Sequence, residues 1–193
     1  PTGMVCDSRD LLVSESSRIK AYSYTGGIGK LLVERLPDDG GELAHHLQQI
    51  PEGLLISIGS RCDACDEKDP LRATIQLLNS DGQLITYSRG LRNVGGLAFN
   101  REDSSLWASE RSRIYPEPGV ADELNRLQVD GDYGWPRCDG NTPASTQEQQ
   151  CRDAKNAVVH LQSRANPAGL MSTIELNSPL VYRNSLLMVL QGD

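Results

Sequence analysis

The stretch Leu54-Leu55-Ile56-Ser57 carries the pattern that decides the fold. A turn is followed by two bulky apolar residues, a shorter apolar one and a small polar one. The same order returns at residues 11–14 and 106–109, and more loosely at 186–189. The first three copies are followed by a second β-like stretch, at 18–22, 74–78 and 124–127. A third β-like stretch follows in two of them, at 30–36 and 83–87.

Units of three or four short strands that recur every 40 to 50 residues or so are typical of β-propeller blades. Asn79-Ser80-Asp81-Gly82 predicts a hairpin turn within one unit, because Asp-Gly supplies the positive φ that a tight turn needs. A β-sandwich is the alternative. We therefore predict an all-β chain, a partial β-propeller domain over residues 1–193 with about three to four blades. A polar loop insertion is expected at about 141–164.

Composition excludes several classes of function. The 193 residues carry a net charge of −7 and no basic block, which makes nucleic acid and anionic membranes poor partners. No apolar run approaches the roughly 18–20 residues of a transmembrane helix. The nucleotide-binding, serine hydrolase and zinc protease motifs are missing as well. The sequence predicts a globular protein without a nucleic-acid partner or a transmembrane segment.

Five cysteines leave three kinds of site open: half a zinc site, a redox pair or disulfides. Cys62-x-x-Cys65 has no closely spaced second pair and no nearby His to complete a zinc site, and no βαβ context for a thioredoxin-type motif. Disulfides are favoured, as Cys62–Cys65 and Cys138–Cys151, with Cys6 left over. Such pairing indicates an oxidising compartment.

Two connections between units carry side chains suited to acid–base chemistry. Counting back from the next strand sets His45 at the same place as Arg92, and His46 at the same place as Asn93. Connections of this kind line the axial cleft of a propeller. A His there could act as a general base, and an Arg could hold negative charge on an oxygen. The alternative is two solvated turns.

A second candidate region joins the acids Asp122-Glu123 to a Gly-rich segment at 131–136. Together they could supply oxygen ligands to calcium, although the spacing is not that of an EF-hand. A polar hairpin is the alternative reading of these residues.

Residues 53–65 resemble a stretch of L-sorbosone dehydrogenase-like proteins. Similar stretches lie at 90–93 with 96–99, at 106–110, and at 122–125 with 133–136. These proteins belong to the soluble pyrroloquinoline quinone (PQQ)-dependent glucose, sorbosone and aldose sugar dehydrogenases. The resemblance implies a six-bladed propeller, usually secreted or periplasmic, that binds PQQ and calcium over its central channel. It also implies oxidation of an aldose-type sugar at C1, with hydride passing to the quinone and electrons then to a separate acceptor.

The resemblance assigns roles to individual residues. His45 is expected to take the proton from the C1 hydroxyl, and Arg92 to polarise the quinone oxygen, with Asn93 beside it. Arg111 falls on a cofactor-contacting position. Calcium at the cofactor is expected on backbone oxygens near Ser112 and Arg113. Glu123 and the carbonyl of Tyr133 fall in a calcium-binding region.

The sequence also departs from this family. Arg111 stands where relatives have Gln, and Ser112-Arg113 replaces Gly-Pro. About three residues are missing between Ile50 and Pro51. The later blades, which complete the cofactor site, are absent, so the chain is expected to be part of a longer protein. The alternative function is a catalytically inactive extracellular propeller that acts as a binding or structural module, with a protein as its partner.

Overall fold

The computed structural model describes residues 2–42, 44–115, 120–138, 151–175 and 179–192. In these ranges the chain forms strands and two short 3-10 turns, Thr173–Glu175 and Leu180–Tyr182. No helix in the described part of the chain is long and apolar enough to cross a membrane. The prediction of an all-β chain is confirmed.

Three antiparallel meanders of four strands each follow one another along the chain. The first sheet contains β1 (Gly3–Cys6), β2 (Asp10–Ser14), β3 (Arg18–Ser23) and β4 (Lys30–Glu34). The second contains β5 (Leu47–Ile50), β6 (Gly53–Ile58), β7 (Thr74–Asn79) and β8 (Leu84–Arg89). The third contains β9 (Val94–Asn100), β10 (Ser105–Glu110), β11 (Ala121–Leu127) and β13 (Val159–Ser163). β14 (Pro167–Ser172) and β15 (Leu186–Leu190) form a fourth, two-stranded sheet.

The sheets are blades of a β-propeller. The first strands of successive sheets are neighbours, with β1 beside β5, β5 beside β9 and β9 beside β14. The chain therefore spans three complete blades and the first two strands of a fourth. The hairpin turn at 79–82 is also confirmed, since the Asn79 amide donates to the Gln83 carbonyl at 3.0 Å and Gly82 has φ +78°.

Strand β6 contains the stretch Leu54-Leu55-Ile56-Ser57, and its burial explains why this stretch is so apolar. Leu54, Ile56 and Ile58 pack into the core shared with the first blade. Leu55, between them, packs into the core shared with the third blade. Because side chains alternate along a strand, a strand buried on both faces needs apolar residues at successive positions. The central blade is thus enclosed by a hydrophobic layer on each side.

One segment crosses between blades. β12 (Gly131–Asp132) pairs in parallel with β8, so the chain leaving the third blade adds a fifth strand to the outer edge of the second. The contact continues as the amides of Tyr133 and Trp135 donate to the carbonyls of Arg89 and Gly90, at 2.9 and 3.1 Å. This segment ties the two blades together at their rim.

The polar insertion expected at about 141–164 is described only from residue 151 onwards, since 139–150 lie outside the described residues. Within it, residues 159–163 form strand β13, which pairs with β11. The strand is the outermost of its blade and is largely exposed, so its polar side chains gave no hydrophobic signal. The end of the expected loop is therefore part of a blade.

Both expected disulfides are present, Cys62–Cys65 and Cys138–Cys151. Cys6 carries a free, exposed thiol. The cysteine pairing predicted from spacing is confirmed.

Candidate functional site

A cleft of about 160 Å³ opens where the segments before β9, after β10 and after β13 meet. Its lining is rich in charge, and its ionisable members are Glu42, Arg92, Arg111, Arg113, Asp122 and Arg164. We call it the arginine cleft. Four guanidinium groups in one small cleft contrast with the net charge of −7 of the whole chain. The cleft therefore gathers guanidinium and carboxylate groups from three segments of the chain.

Arg92 occupies the buried wall of the arginine cleft, with its side chain 7% exposed. Its Nη2 lies 3.2 Å from Asp63 Oδ1 and 3.8 Å from Glu42 Oε1. Its Nη1 donates to the carbonyls of Arg111 and Ser112, at 3.4 and 3.2 Å. Its Nε is buried and has no hydrogen-bond partner among the described residues. One donor of this guanidinium is thus left for a ligand.

Asn93 and Arg111 lie beside Arg92, as the sequence suggested. Asn93 is buried, and its carbonyl accepts the Arg111 amide at 2.8 Å. The Arg111 side chain reaches the next blade, where its Nε donates to the Pro167 carbonyl at 2.9 Å. The structure brings these three candidates together because the turn before β9 lies against the end of β10.

The two histidines differ in burial, and the expectation for His45 has to be corrected. The His45 ring is fully buried, with Nδ1 3.1 Å from the Ser57 carbonyl and Nε2 3.0 Å from the Ser16 carbonyl. Both ring nitrogens are taken up by the protein interior. His45 therefore has no ring atom left to accept a proton from a substrate.

His46 directly precedes β5 and is half-buried. Burial, and then the nearby positive charge of Arg111, lower its pKa to about 4. Side chains of adjacent residues in an extended chain face opposite ways. An error of one residue in aligning the segment before β5 with the segment before β9 therefore exchanges the positions predicted for the two rings. The burial of both His45 and Leu47 shows which positions face the core. Core positions on either side of His46 were thus the feature of the sequence that could have identified His46 as the less buried ring.

Glu110 is a site residue that the sequence reasoning missed. Its Oε1 accepts the Arg92 amide at 2.6 Å, and its Oε2 accepts Asn125 Nδ2 at 3.2 Å. The same amide group donates to Glu123 Oε2 at 3.1 Å, and Glu110 and Glu123 are directly paired across β10 and β11. Burial, and then the charge of Glu123, raise the pKa of Glu110 well above its usual range. The only feature of the sequence that could have identified Glu110 was its place directly before Arg111.

The carbonyls expected to hold calcium already accept hydrogen bonds. That of Ser112 accepts from Arg92 Nη1 at 3.2 Å, and that of Arg113 accepts from the Val120 amide at 3.2 Å. A divalent ion at roughly 4 Å from a guanidinium is repelled by about 8 kcal/mol at an effective dielectric constant of about 20. The residues at Ser112 and Arg113 therefore do not fit a calcium site in this chain.

Asp122 fixes the loop that carries these carbonyls. Its Oδ1 accepts the Ser112 amide and its Oδ2 accepts the Asn166 amide, both at 2.8 Å. Burial raises the pKa of Asp122, while these two hydrogen bonds act in the opposite direction. Both oxygens of this carboxylate are thus engaged by backbone amides.

The second expected calcium region has a different donor set. Glu123 lies against Glu110 and Asn125, and Asn125 Oδ1 is buried without a hydrogen-bond partner in the described part of the chain. Carboxylate and amide oxygens fit a calcium ion by their chemistry. Tyr133 is held by its hydroxyl, which donates to the Arg126 carbonyl at 2.6 Å and accepts the Gln128 amide at 3.0 Å.

The Cys62–Cys65 loop supports the site through Asp63, which the sequence reasoning also missed. Besides binding Arg92, the Asp63 carboxylate accepts the amides of Ile114 and Tyr115, each at 2.9 Å. Its carbonyl accepts Trp135 Nε1 at 3.3 Å. One short disulfide loop thus holds the guanidinium, the segment after β10 and the inter-blade crossing.

Three solved structures illustrate which proteins share this fold. The iodide structure of a family AA12 carbohydrate-active enzyme from Trichoderma reesei superposes with a TM-score of 0.74 at 16% identity, over 88% of this chain and 57% of that one. The apo form of the soluble aldose sugar dehydrogenase from Escherichia coli gives 0.70 at 18% identity, over 96% and 59%. The PQQ-bound aldose sugar dehydrogenase from Streptomyces coelicolor gives 0.61 at 22% identity, over 87% and 51%.

The chain thus spans little more than half the length of these proteins. No curated protein matches it in sequence. A sequence profile, in contrast, covers residues 54–188, which is most of the chain and contains the arginine cleft except Glu42. That profile is the one of the glucose/sorbosone dehydrogenases, and the chain belongs to this family.

Proposed function

We propose that this chain carries part of the active site of a sugar dehydrogenase that oxidises an aldose-type sugar at C1 with PQQ. The observation that supports this most is the buried guanidinium of Arg92 in a cleft with Arg111, Arg113 and Arg164. PQQ bears several carboxylates, and guanidinium groups are the side chains best suited to pair with them. When bound, PQQ supplies the hydride acceptor.

The residues of the chain have separate tasks in this proposal. Arg92 and Arg111 hold the anionic cofactor, and Asn93 fixes the loop between them through its carbonyl. His46, rather than His45, takes the proton as the O–H bond of the C1 hydroxyl breaks. With its pKa lowered to about 4, its imidazole is uncharged at neutral pH and has a nitrogen lone pair to offer.

We propose a calcium site at Glu123 and none at Ser112 and Arg113. The oxygens around Glu123 fit the ion, and an ion there would act on the structure of the third blade. Tyr133, expected to contribute its carbonyl, lies on the crossing segment that follows this blade.

The test uses the full-length protein, because the chain spans little more than half the length of the solved relatives. PQQ uptake is followed by fluorescence quenching, and dye reduction is assayed with a panel of aldoses. His46→Ala is expected to slow dye reduction about 10²- to 10⁴-fold while it retains PQQ. His160→Ala, an exposed His on β13, is the matched control and should keep the wild-type rate.

A folded sample that takes up no PQQ would overturn this proposal. So would an unchanged rate in His46→Ala. The second candidate function, an inactive extracellular binding or structural propeller with a protein partner, would then stand. It is favoured by Arg111, whose side chain is tied to Pro167 of the next blade where relatives have a Gln for the cofactor.

We also propose a secreted location, or a periplasmic one in a bacterium. Two disulfides in one chain are the supporting observation, because cytosolic thiols are kept reduced. An active enzyme would further need an electron acceptor to reoxidise its cofactor.

A further inference from the structure

We propose that a second pocket, between the second and third blades, binds a small organic ammonium ion that carries an aromatic ring. The pocket has a volume of about 250 Å³, and we call it the apolar pocket. Phe99 near the end of β9 and Leu106 at the start of β10 line it, whereas the arginine cleft lies at the other ends of these strands. At about 3.3 Å per strand residue, the two sites are roughly 20 Å apart.

Apolar side chains form most of the wall of the apolar pocket, and they are Ile50, Leu77, Ile85, Phe99, Leu106 and Val129. Ile50 and Leu106 belong to the core shared by the second and third blades, and Phe99 packs against that core. The pocket thus extends the core outwards, where Ile85 and Val129 are still 47% and 66% exposed. An apolar ligand that covers these side chains removes their surface from water, which favours binding.

The volume of the apolar pocket indicates the size of the ligand. A cavity of about 150 Å³ with apolar walls holds a benzene ring, and the pockets of drug-sized ligands begin at about 300 Å³. A pocket of about 250 Å³ accordingly fits one aromatic ring with a short chain. Tyr87 and Phe99 both line the pocket and supply rings for offset or edge-to-face contact with such a ligand.

The polar groups of the apolar pocket indicate that the ligand is a cation. Glu52 is the charged residue among the described residues that line it, and it is exposed. Neither the Glu52 carboxylate nor the Tyr87 hydroxyl has a hydrogen bond or ion pair with another side chain in the described part of the chain. Burial, and then the negative charge of Glu52, raise the pKa of Tyr87, so its hydroxyl is uncharged at neutral pH. An ammonium group can donate to both oxygens, and aromatic faces attract it as well.

The test is an NMR titration of the full-length protein with labelled Ile, Leu and Val methyl groups. The probes are 2-phenylethylamine, the isosteric alcohol 2-phenylethanol and the anion 3-phenylpropionate. We expect the amine to bind with a dissociation constant below about 1 mM. The alcohol should bind about two- to fivefold more weakly, which is the range of an exposed ion pair, and the anion more weakly still. The methyl signals of Ile85 and Val129 should shift, while those of Leu12 in the first blade should not.

Variants of Glu52 test the charge. Glu52→Gln keeps the size of the side chain, so the amine should bind as weakly as the alcohol, whose own affinity should not change. Glu52→Lys should reverse the order, so that the anion binds more tightly than the amine. Glu34→Gln, at an exposed glutamate of β4 in the first blade, is the matched control and should bind all three probes like the wild type. Circular dichroism checks folding, and the wild-type comparison of the three probes stands without the variants.

Equal affinities of the wild type for the amine and the alcohol would overturn the inference, and so would an unchanged amine affinity in Glu52→Gln. Amine binding that leaves the methyl signals of Ile85 and Val129 in place would overturn it too, because the ligand would then lie elsewhere. If no probe binds at about 5 mM, several times the expected dissociation constant, the inference is wrong. An apolar side chain of a partner, or another part of the full-length protein, would then be what covers the pocket.

These outcomes are independent of the proposed function. Glu52 lies on the far side of the blades from the arginine cleft, in the turn between β5 and β6. PQQ uptake and dye reduction should therefore be the same in Glu52→Gln as in the wild type.

Discussion

At the scale of one residue, the buried Glu110 stabilises the turn that carries Arg92 in the arginine cleft. It is 4% exposed, and its two oxygens join the backbone of the turn before β9 to Asn125 on β11. A buried carboxylate beside another one is costly in its charged form. Because its pKa is raised in the folded state, native Glu110 keeps its proton at pH values where the unfolded chain has lost it.

The sign of the pH effect follows from linkage. A carboxyl with a raised pKa contributes stability below the unfolded value of 4.5, and that contribution is lost as pH rises towards the folded pKa. Glu110→Gln keeps the shape and cannot ionise, so this pH-dependent loss should disappear. We expect its free energy of unfolding to equal or exceed that of the wild type at pH 7, as measured with urea from pH 4.5 to 8.

Glu110→Ala is the contrasting variant. It leaves the Arg92 amide and the Asn125 amide group without an acceptor, and should cost about 1–3 kcal/mol per unsatisfied group. If Glu110→Gln and Glu110→Ala destabilise the protein equally at pH 7, the conclusion that Glu110 is protonated in the folded state is contradicted.

At the scale of an element, the Cys62–Cys65 loop works as a clamp. Asp63 forms an ion pair with the guanidinium of Arg92 and accepts hydrogen bonds from two amides of the segment after β10, which carries Ser112 and Arg113. The disulfide keeps the residues on either side of Asp63 in place. The position of Arg92 therefore depends on a loop that follows β6, a strand of another blade.

Asp63→Ala is expected to weaken the cleft through this clamp. Hydrogen bonds to a charged group are lost, so the free energy of unfolding should fall by about 2 kcal/mol, and PQQ affinity should fall because Arg92 is released. Asp66→Ala is the matched control, since Asp66 is exposed and, among the described residues, pairs with the exposed Arg137. It should change stability by less than about 0.5 kcal/mol. Unchanged PQQ affinity in Asp63→Ala would speak against the clamp.

At the scale of the whole molecule, the blades are held together by close backbone approach as well as by apolar cores. At Gly95 of β9, an added Cβ would lie 1.8 Å from the Pro167 carbonyl oxygen of β14. Backbone atoms of a neighbouring blade cannot yield as a flexible side chain can. The absence of a side chain at Gly95 is therefore what lets the third and fourth blades meet.

Gly95→Ala should consequently destabilise the protein by about 1–3 kcal/mol, the usual cost of overpacking. Gly169→Ala on the facing strand is the control, because the nearest atom to its added Cβ is 4.0 Å away. Chemical denaturation of both variants measures the difference. Equal stability of the two would mean that the blades can separate there without cost.

Local patterns in the sequence determined the blades, the hairpin at 79–82 and both disulfides. Strand periodicity, turn chemistry and cysteine spacing act over a few residues, so they can be read without knowing the fold. The repeat also predicted that His45 and Arg92 would converge from adjacent blades, and the resemblance to the family added Arg111. The structure places Arg111 beside Arg92 and the His45 ring in the core.

Only the tertiary structure decided which residues of the site are available for chemistry. The choice between His45 and His46 depends on one residue of register, which the core settles by burying one ring. Asp63 and Glu110 act on Arg92 from positions far away in sequence, so no local pattern marks them. The Ser112 carbonyl was a plausible calcium ligand until the fold put a buried guanidinium against it.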